Sequence, residues 1–195
     1  MMKFTSIRMA LLSLFLAASP ALAKEDPVAA APVLPTVVNP DPAVQPENVL
    51  LLYLSNGGKV TIRLMPEWAP NHVERIKTLA RDGFYNGIIF HRVIDGFMAQ
   101  TGDPTGTGMG SSQEPDIPAE FTPEPFKRGT VGMARSQNPD SGNSQFFVMF
   151  ADGDFLNGQY TVWGQVDEQG MACVDQIAKG EPPATPDKMT KVTVQ

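Results

Sequence analysis

Cysteine and histidine, which carry much covalent and metal chemistry in proteins, are almost missing from this sequence. Its 195 residues include one cysteine, Cys173, and two histidines, His72 and His91. A single cysteine excludes a disulfide within the chain and a cluster of metal-binding thiolates. The histidines show no metal-ligand spacing, and no G-x-S-x-G stretch accompanies them. We therefore expect no metal and no cofactor, and a secreted hydrolase finds little support.

An excess of positive charge is also missing. The formal net charge is −6, which argues against nucleic acid or an anionic membrane surface as a partner. The apolar run Met9–Ala18 is too short to span a bilayer. It follows Lys3 and Arg8 and precedes an A-x-A site ending at Ala23, which is the pattern of a secretory signal peptide. We predict cleavage after Ala23, no membrane span, and a periplasmic or secreted protein.

Proline and alanine dominate residues 24–48, which show no hydrophobic period. Such a composition predicts an extended, semi-rigid linker, and both a docking arm and a leader without a role are compatible with it. Patterned sequence begins near Val49. We therefore divide the chain into a signal peptide (1–23), a linker (24–48) and one folded domain (49–195).

Short strand patterns separated by turn signals fill this domain. A turn at 56–58 joins two alternating runs, and Pro70 opens a helix that Gly83 ends. Strands are predicted at 49–55, 59–65, 88–94, 97–100, 129–134, 145–150, 160–166 and 189–194, and helices at 71–82 and 169–179. Many short strands indicate a sandwich or a barrel. We favour a mainly β fold, a closed eight-stranded antiparallel β-barrel capped by the two α-helices.

Two loops carry patterns that resemble binding motifs without meeting their requirements. The glycine-rich segment 102–110 lacks the Lys-Ser/Thr ending of a phosphate-binding loop, and we expect it to be a mobile surface loop. Asp152 and Asp154 begin like a calcium loop, but Leu156 and Asn157 occupy the places of a ligand and a glycine. We predict neither a phosphate site nor a calcium site.

The stretch from Phe90 to Gln100 is more informative, because its apolar residues surround one guanidinium, that of Arg92, and one amide. Burying an arginine is costly unless its donors are satisfied, and a surface arginine lying over a strand is the ordinary alternative. Alternation along the strand turns His91 away from Arg92. We expect His72, in the first turn of a helix, to be solvated. One guanidinium among apolar side chains, without a nucleophile, suits a reaction that makes and breaks no covalent bond.

Rotation about a prolyl peptide bond is a reaction of that kind. Its barrier is about 18–20 kcal/mol, because amide resonance must be lost. An apolar pocket can hold the proline ring. An N–H donor aimed at the imide nitrogen stabilises the twisted transition state, in which the nitrogen lone pair is localised. A ten-thousandfold acceleration requires about 5–6 kcal/mol of such differential binding.

Ordered sequence blocks across residues 49–194 resemble one known family. The blocks are F-H-R-V-I at 90–94, G-F-M-A-Q-T-G-D at 96–103 and N-S-Q-F-F-V at 143–148, with others at 69–73, 83–87, 132–135 and 155–158. In order and spacing they resemble the cyclophilin-type peptidyl-prolyl cis-trans isomerases, most closely the bacterial periplasmic branch. The resemblance implies an eight-stranded antiparallel barrel with one helix at each end and the site on an outer face.

The resemblance also implies roles for individual residues. Arg92 takes the position of the catalytic guanidinium, and Gln100 that of its orienting partner and a substrate contact. The backbone of Arg135 is expected to align the substrate chain. The proline pocket with its floor and rim is expected to comprise Phe97, Met98, Ala134, Gln145, Phe147 and Leu156. Alternation places four other apolar residues on the opposite face, in the barrel core: Phe90, Val93, Phe146 and Val148.

Two further substrate-binding positions depart from the eukaryotic members, which usually carry Trp where this chain has Phe155 and His where it has Tyr160. The indole N–H of that Trp is associated with tight cyclosporin binding, so we expect only weak cyclosporin binding here. Tyr160 can still pack against the proline ring and donate a hydrogen bond.

Together these features predict a peptidyl-prolyl cis-trans isomerase that assists the folding of exported proteins without metal, nucleotide or other cofactor. Its expected partners are proline-containing polypeptides that are unfolded or partly folded. The alternative is a non-catalytic chaperone or scaffold module that binds proline-containing segments. We expect a monomer, since the sequence shows no heptad pattern and no extended apolar patch.

Overall fold

The computed structural model describes residues 45–195, so the predicted signal peptide and most of the predicted linker lie outside the described residues. The strands are β1 (Val49–Leu54), β2 (Lys59–Leu64), β3 (Arg92–Ile94), β4 (Met98–Thr101), β5 (Thr130–Met133), β6 (Phe146–Met149), β7 (Val162–Val166) and β8 (Met189–Val194); the helices are α1 (Pro70–Arg81) and α2 (Glu168–Val174). Short 3-10 turns at Pro46–Asn48 and Asp154–Leu156 precede β1 and β7.

All eight strands join one antiparallel sheet in the order β3-β4-β6-β5-β7-β2-β1-β8. The predicted mainly β architecture with two helices is confirmed. The prediction of a closed barrel goes too far, because in residues 45–195 the end strands β3 and β8 form no ladder with each other. Isolated bridges join Ile89 to Lys188, the residue before β8, and Val93 of β3 to Gly180 in the segment between α2 and β8.

Most elements begin and end within two residues of their predicted bounds. The strand predicted at 88–94 is shorter, because residues 88–91 hold only an isolated bridge. The second helix was predicted to reach Lys179 but ends at Val174. After it, the amides of Gln176 and Ile177 bond to carbonyl groups three residues back, which tightens the last turn and stops the helix.

The sheet carries apolar side chains on both faces. The main core includes the four residues predicted for it, Phe90, Val93, Phe146 and Val148. Their neighbour Phe147 lies instead in a second apolar cluster with Met98 and Leu156. The predicted alternation is therefore confirmed, and it separates the residues that hold the fold from those that face the candidate site.

The two helices cover the main core. α1 begins at Pro70, whose fixed φ suits the first helical turn, and it buries Val73, Ile76 and Leu79 against the core and packs on β7 and β8. Asp167 caps the N-terminus of α2, its carboxylate accepting a hydrogen bond from the amide of Gly170 at 2.6 Å, and α2 packs on β2. Over residues 45–195, no helix has the length and apolar character that crossing a membrane requires.

Candidate active site

A cavity of about 410 Å³ opens on the face of the sheet that carries the second apolar cluster. It brings together ten of the residues predicted for the site: Arg92, Phe97, Met98, Gln100, Ala134, Arg135, Phe147, Phe155, Leu156 and Tyr160. The remaining predicted residue, Gln145, lines an adjoining cavity of about 490 Å³. Sequence reasoning missed Gln159, although its place between Leu156 and Tyr160 could have drawn attention to it.

Strand register places the polar groups of the site in one row. Arg92 of β3 lies opposite Gln100 of β4, and Gln100 lies opposite Phe147 of β6. Directly opposed residues of antiparallel strands project on the same face of the sheet. The row therefore runs from the guanidinium across the amide to an aromatic ring, and all three side chains line the cavity.

The amide of Gln100 bonds to Gln145 and not to Arg92, the residue that it was expected to orient. Its Nε2 donates to Oε1 of Gln145 at 2.9 Å, and Nε2 of Gln145 donates to the carbonyl oxygens of Gly108 and Gly110 at 3.1 and 2.7 Å. Gln100 forms no side-chain hydrogen bond with Arg92 in the structure. The loop carbonyls thus fix the side chain of Gln145, which in turn fixes that of Gln100. Oε1 of Gln100 is left available to bond to a ligand.

The guanidinium of Arg92 is anchored by a carboxylate instead. Its Nε donates to Oε2 of Glu181 at 2.8 Å, and both side chains are roughly half exposed. Within the described residues, the Nη groups of Arg92 have no protein partner. They are therefore available as donors at the wall of the cavity.

Apolar side chains form the floor of the cavity. Met98, Phe147 and Leu156 are buried, and the Phe147 ring stacks on Phe126 with ring centroids 5.7 Å apart. Phe97 contacts Phe155 at a centroid distance of 5.5 Å. Because the floor rings are held from below, the cavity keeps its shape and can accept a small apolar ring without displacing the main core.

The rim of the cavity is built around Tyr160. Its ring meets Phe147 edge-on at 5.8 Å, and the guanidinium of Arg135 lies over it, 4.4 Å from the ring centroid. Arg135 also donates from Nε and Nη2 to the carbonyl oxygen of Gln159, at 3.1 and 2.8 Å. Its side chain is therefore engaged at the rim, and alignment of a substrate by its backbone stays a prediction.

The glycine-rich segment 102–110 is organised around one carboxylate, that of Asp103; most of the segment lies at the surface, as predicted, and its mobility stays a prediction. Asp103 is buried and accepts hydrogen bonds from the amide and hydroxyl of Thr105 and the amides of Thr107 and Gly108. Burial acts to raise the pKa of Asp103, but these hydrogen bonds outweigh it and lower the pKa to about 2. The ionised carboxylate thus holds the loop whose carbonyls fix Gln145.

Both histidines are buried, so the expectation that His72 is solvated was wrong. Nδ1 of His72 lies 2.6 Å from Oε2 of Glu120, a residue 48 positions away, which also accepts from the His72 amide. Burial lowers the pKa of His72 more than this hydrogen bond raises it, so the neutral ring donates to the carboxylate. Burial likewise lowers the pKa of His91, which is absent from the cavity lining, as its predicted orientation requires. A neutral His91 adds no charge beside Arg92.

The cavity lining offers the guanidinium groups of Arg92 and Arg135, the amides of Gln100 and Gln159, the hydroxyl of Tyr160 and apolar side chains. In the described part of the chain, no cluster of three or more His, Cys, Asp or Glu side chains has the geometry to hold a metal ion. In the calcium-like segment, the carboxylates of Asp152 and Asp154 are bound by Lys127 at 3.1 and 3.0 Å. Such a site can bind an apolar ring and donate hydrogen bonds to polar atoms of the chain that carries the ring.

Comparison with known proteins agrees with this chemistry. Residues 50–194 match the family of cyclophilin type peptidyl-prolyl cis-trans isomerases. A probable peptidyl-prolyl cis-trans isomerase of Brucella suis is 54% identical over 169 residues, which cover 78% of this chain and 85% of that protein. A peptidyl-prolyl cis-trans isomerase of Helicobacter pylori is 40% identical over 129 residues, covering 65% and 78%.

Solved structures extend the likeness to the fold. Cyclophilin AquaCyp293 from Hirschia baltica superposes with a TM-score of 0.70 at 30% identity, covering 76% of this chain and 74% of that one. A Cryptosporidium parvum cyclophilin crystallised in the presence of the dipeptide Ala-Pro gives 0.69 at 26% identity, covering 75% and 98%. The chain therefore belongs to the cyclophilin-type peptidyl-prolyl cis-trans isomerases, and its activity is cis-trans isomerisation of prolyl peptide bonds.

Proposed function

We propose that Arg92 is the catalytic donor of this isomerase and that the adjoining apolar floor binds the proline ring of the substrate. The observation that carries the proposal is the placement of an anchored guanidinium at the wall of an apolar cavity, in one row with Gln100 and Phe147. The ring enters over Met98, Phe147 and Leu156. Its imide nitrogen then lies beside the free Nη donors.

Catalysis follows from the difference between the planar and the twisted amide. In the planar ground state the nitrogen lone pair is delocalised into the carbonyl group and accepts a hydrogen bond poorly. In the twisted transition state the lone pair is localised, so the bond from Arg92 strengthens as rotation proceeds. Gln100 and the backbone near Arg135 hold the flanking chain, so that one side of the prolyl bond stays fixed while the other turns.

The alternative is a module that binds proline-containing segments without isomerising them. Peptide affinity distinguishes the two, because a transition-state donor contributes little to ground-state binding. Titration of an Ala-Pro-Phe peptide should give dissociation constants that agree within about threefold for wild type and Arg92→Ala. Arg92→Lys, which keeps the charge but loses the planar fork, serves as the matched control. If Arg92→Ala weakened binding as much as it slowed turnover, the donor role would be refuted.

We further propose that the protein belongs to the bacterial periplasmic branch and acts as a monomer on exported proteins. The features that support export are Lys3 and Arg8 before the apolar run, followed by the A-x-A site at Ala23. The full chain produced in a Gram-negative host should appear in the periplasmic fraction with Lys24 as its first residue. Full-length protein in the cytoplasmic fraction would contradict export, and a sedimentation mass of twice the chain would contradict the monomer.

A further inference from the structure

The row of site residues continues by one position beyond β3. Val93 forms a bridge with Gly180, in which each residue donates its amide to the carbonyl of the other at 2.8 Å. In antiparallel register, the residue before Val93 faces the residue after Gly180. Arg92 is therefore opposite Glu181, and their side chains meet at 2.8 Å.

Gly180 can hold the backbone in the position that sets Glu181 opposite Arg92 because it has no side chain. Its φ of 147° lies in the region that favours glycine, and a Cβ built there would come within 2.6 Å of the Cα of Pro183. The bridge with Val93 and this close approach fix where the next residue stands. Glu181 thus reaches Arg92 from an anchored backbone.

The ion pair of Arg92 with Glu181 contributes little to the stability of the fold. The Arg92 and Glu181 side chains are 41% and 51% exposed, and ion pairs at such exposure contribute little to the free energy of unfolding. The pair does constrain orientation, since a charge-assisted bond at Nε fixes the plane of the guanidinium. Arg92 lines the cavity and Glu181 does not, so the carboxylate acts on the site through the arginine.

We propose that Glu181 is a positioning residue, which holds the Arg92 guanidinium by its Nε so that the Nη donors face the prolyl bond. This inference rests on the catalytic role proposed for Arg92. Without the carboxylate, the arginine side chain samples other rotamers, and only part of the population presents its donors. The substrate still binds the apolar floor, so the loss falls on turnover and leaves ground-state affinity unchanged.

The test is the kinetics of Glu181→Ala and Glu181→Gln on an Ala-Pro-Phe peptide, with kcat and KM measured separately. We expect Glu181→Ala to lower kcat about two- to fivefold, the range that the coupling energy of an exposed ion pair allows, with KM nearly unchanged. Glu181→Gln should recover part of the loss, because its amide oxygen still accepts from Nε. The matched control is Glu74→Ala, which removes the acid of another exposed ion pair, with Arg81, and should leave kcat unchanged.

Arg92→Ala makes the two proposals separable. If Arg92→Ala kept wild-type kcat, the catalytic role of Arg92 would fail and the positioning role with it. If Arg92→Ala lost activity but Glu181→Ala did not, only the positioning role would be overturned. In the Arg92→Ala background, Glu181→Ala should not lower kcat further, and an undiminished loss of kcat there would also overturn the positioning role.

NMR tests the bond itself. When Glu181→Ala is introduced into the wild-type protein, the Nε–H signal of Arg92 should shift, and an unmoved signal would show that the two groups are not bonded in solution.

Discussion

Gly132 supports the floor of the cavity from β5, where it lies opposite Phe147 of β6. An alanine Cβ at this position would stand 2.5 Å from Cζ of Phe147 and 2.6 Å from Cε1 of Phe126. Both rings are buried and stacked on each other, so neither can swing into solvent to make room. We therefore predict that Gly132→Ala lowers both the stability and the activity of the protein, although it adds a single methyl group.

The size of the effect follows from overpacking. Forcing an extra methyl group into a filled core costs about 1–3 kcal/mol of the free energy of unfolding. For a chain of this size each kcal/mol lowers the melting temperature by about 2–4 °C, so the expected fall is roughly 2–12 °C. The displaced Phe147 ring also lines the cavity, so kcat/KM should fall through a higher KM for proline peptides.

Urea unfolding and isomerase kinetics on the same preparations measure both effects. Phe126→Leu provides the control, because it removes one of the two clashing rings. The stability cost of Gly132→Ala should be smaller in that background than in wild type. An unchanged unfolding midpoint in Gly132→Ala would refute the reasoning about the rings. A lower midpoint with unchanged kcat/KM would refute the link between these rings and substrate binding.

Three further predictions concern pH and the rim. The carboxylate of Asp103, with its depressed pKa of about 2, contributes stability that is present above pH 3.8 and lost as the pH falls toward 2. In urea unfolding, Asp103→Asn should not show this loss of stability between pH 3.8 and 2. The same pH profile in the variant and the wild type would contradict the role of the carboxylate. Below pH 6.5 the unfolded chain protonates His72 while the lowered pKa keeps the folded ring neutral. The free energy of unfolding should therefore decrease as the pH is lowered below 6.5, and it should decrease less in His72→Gln. Phe155→Trp should tighten cyclosporin binding in a fluorescence titration, whereas equal affinities would contradict the role of the indole N–H.

Local patterns predicted most of the fold. Alternation assigned Phe146 and Phe147 to opposite faces, because successive strand residues must project to opposite sides whatever surrounds them. Whether the barrel closes could not be predicted from local sequence patterns. It depends on whether β3 and β8 meet, and those strands are separated by most of the domain in sequence.

The side-chain contacts that were predictable lie within one hairpin, and the pairs that were missed join distant segments of the chain. Arg92 and Gln100 lie on two strands joined by a short turn, so their opposition follows from hairpin register. Glu181 stands 89 positions from Arg92, and Glu120 stands 48 positions from His72. No local pattern relates such pairs, so the anchor of the guanidinium and the burial of His72 emerged only from the structure.

The central claim is that the Arg92 guanidinium accelerates rotation of a prolyl bond held in the apolar cavity. Exchange NMR on an Ala-Pro-Phe peptide tests it most directly, because uncatalysed exchange takes roughly tens to hundreds of seconds. We predict rapid exchange with catalytic amounts of wild-type protein, and about a 10²–10³-fold slower catalysed rate with folded Arg92→Ala, the usual cost of losing one transition-state donor. Equal catalysed rates for the two proteins would contradict the account.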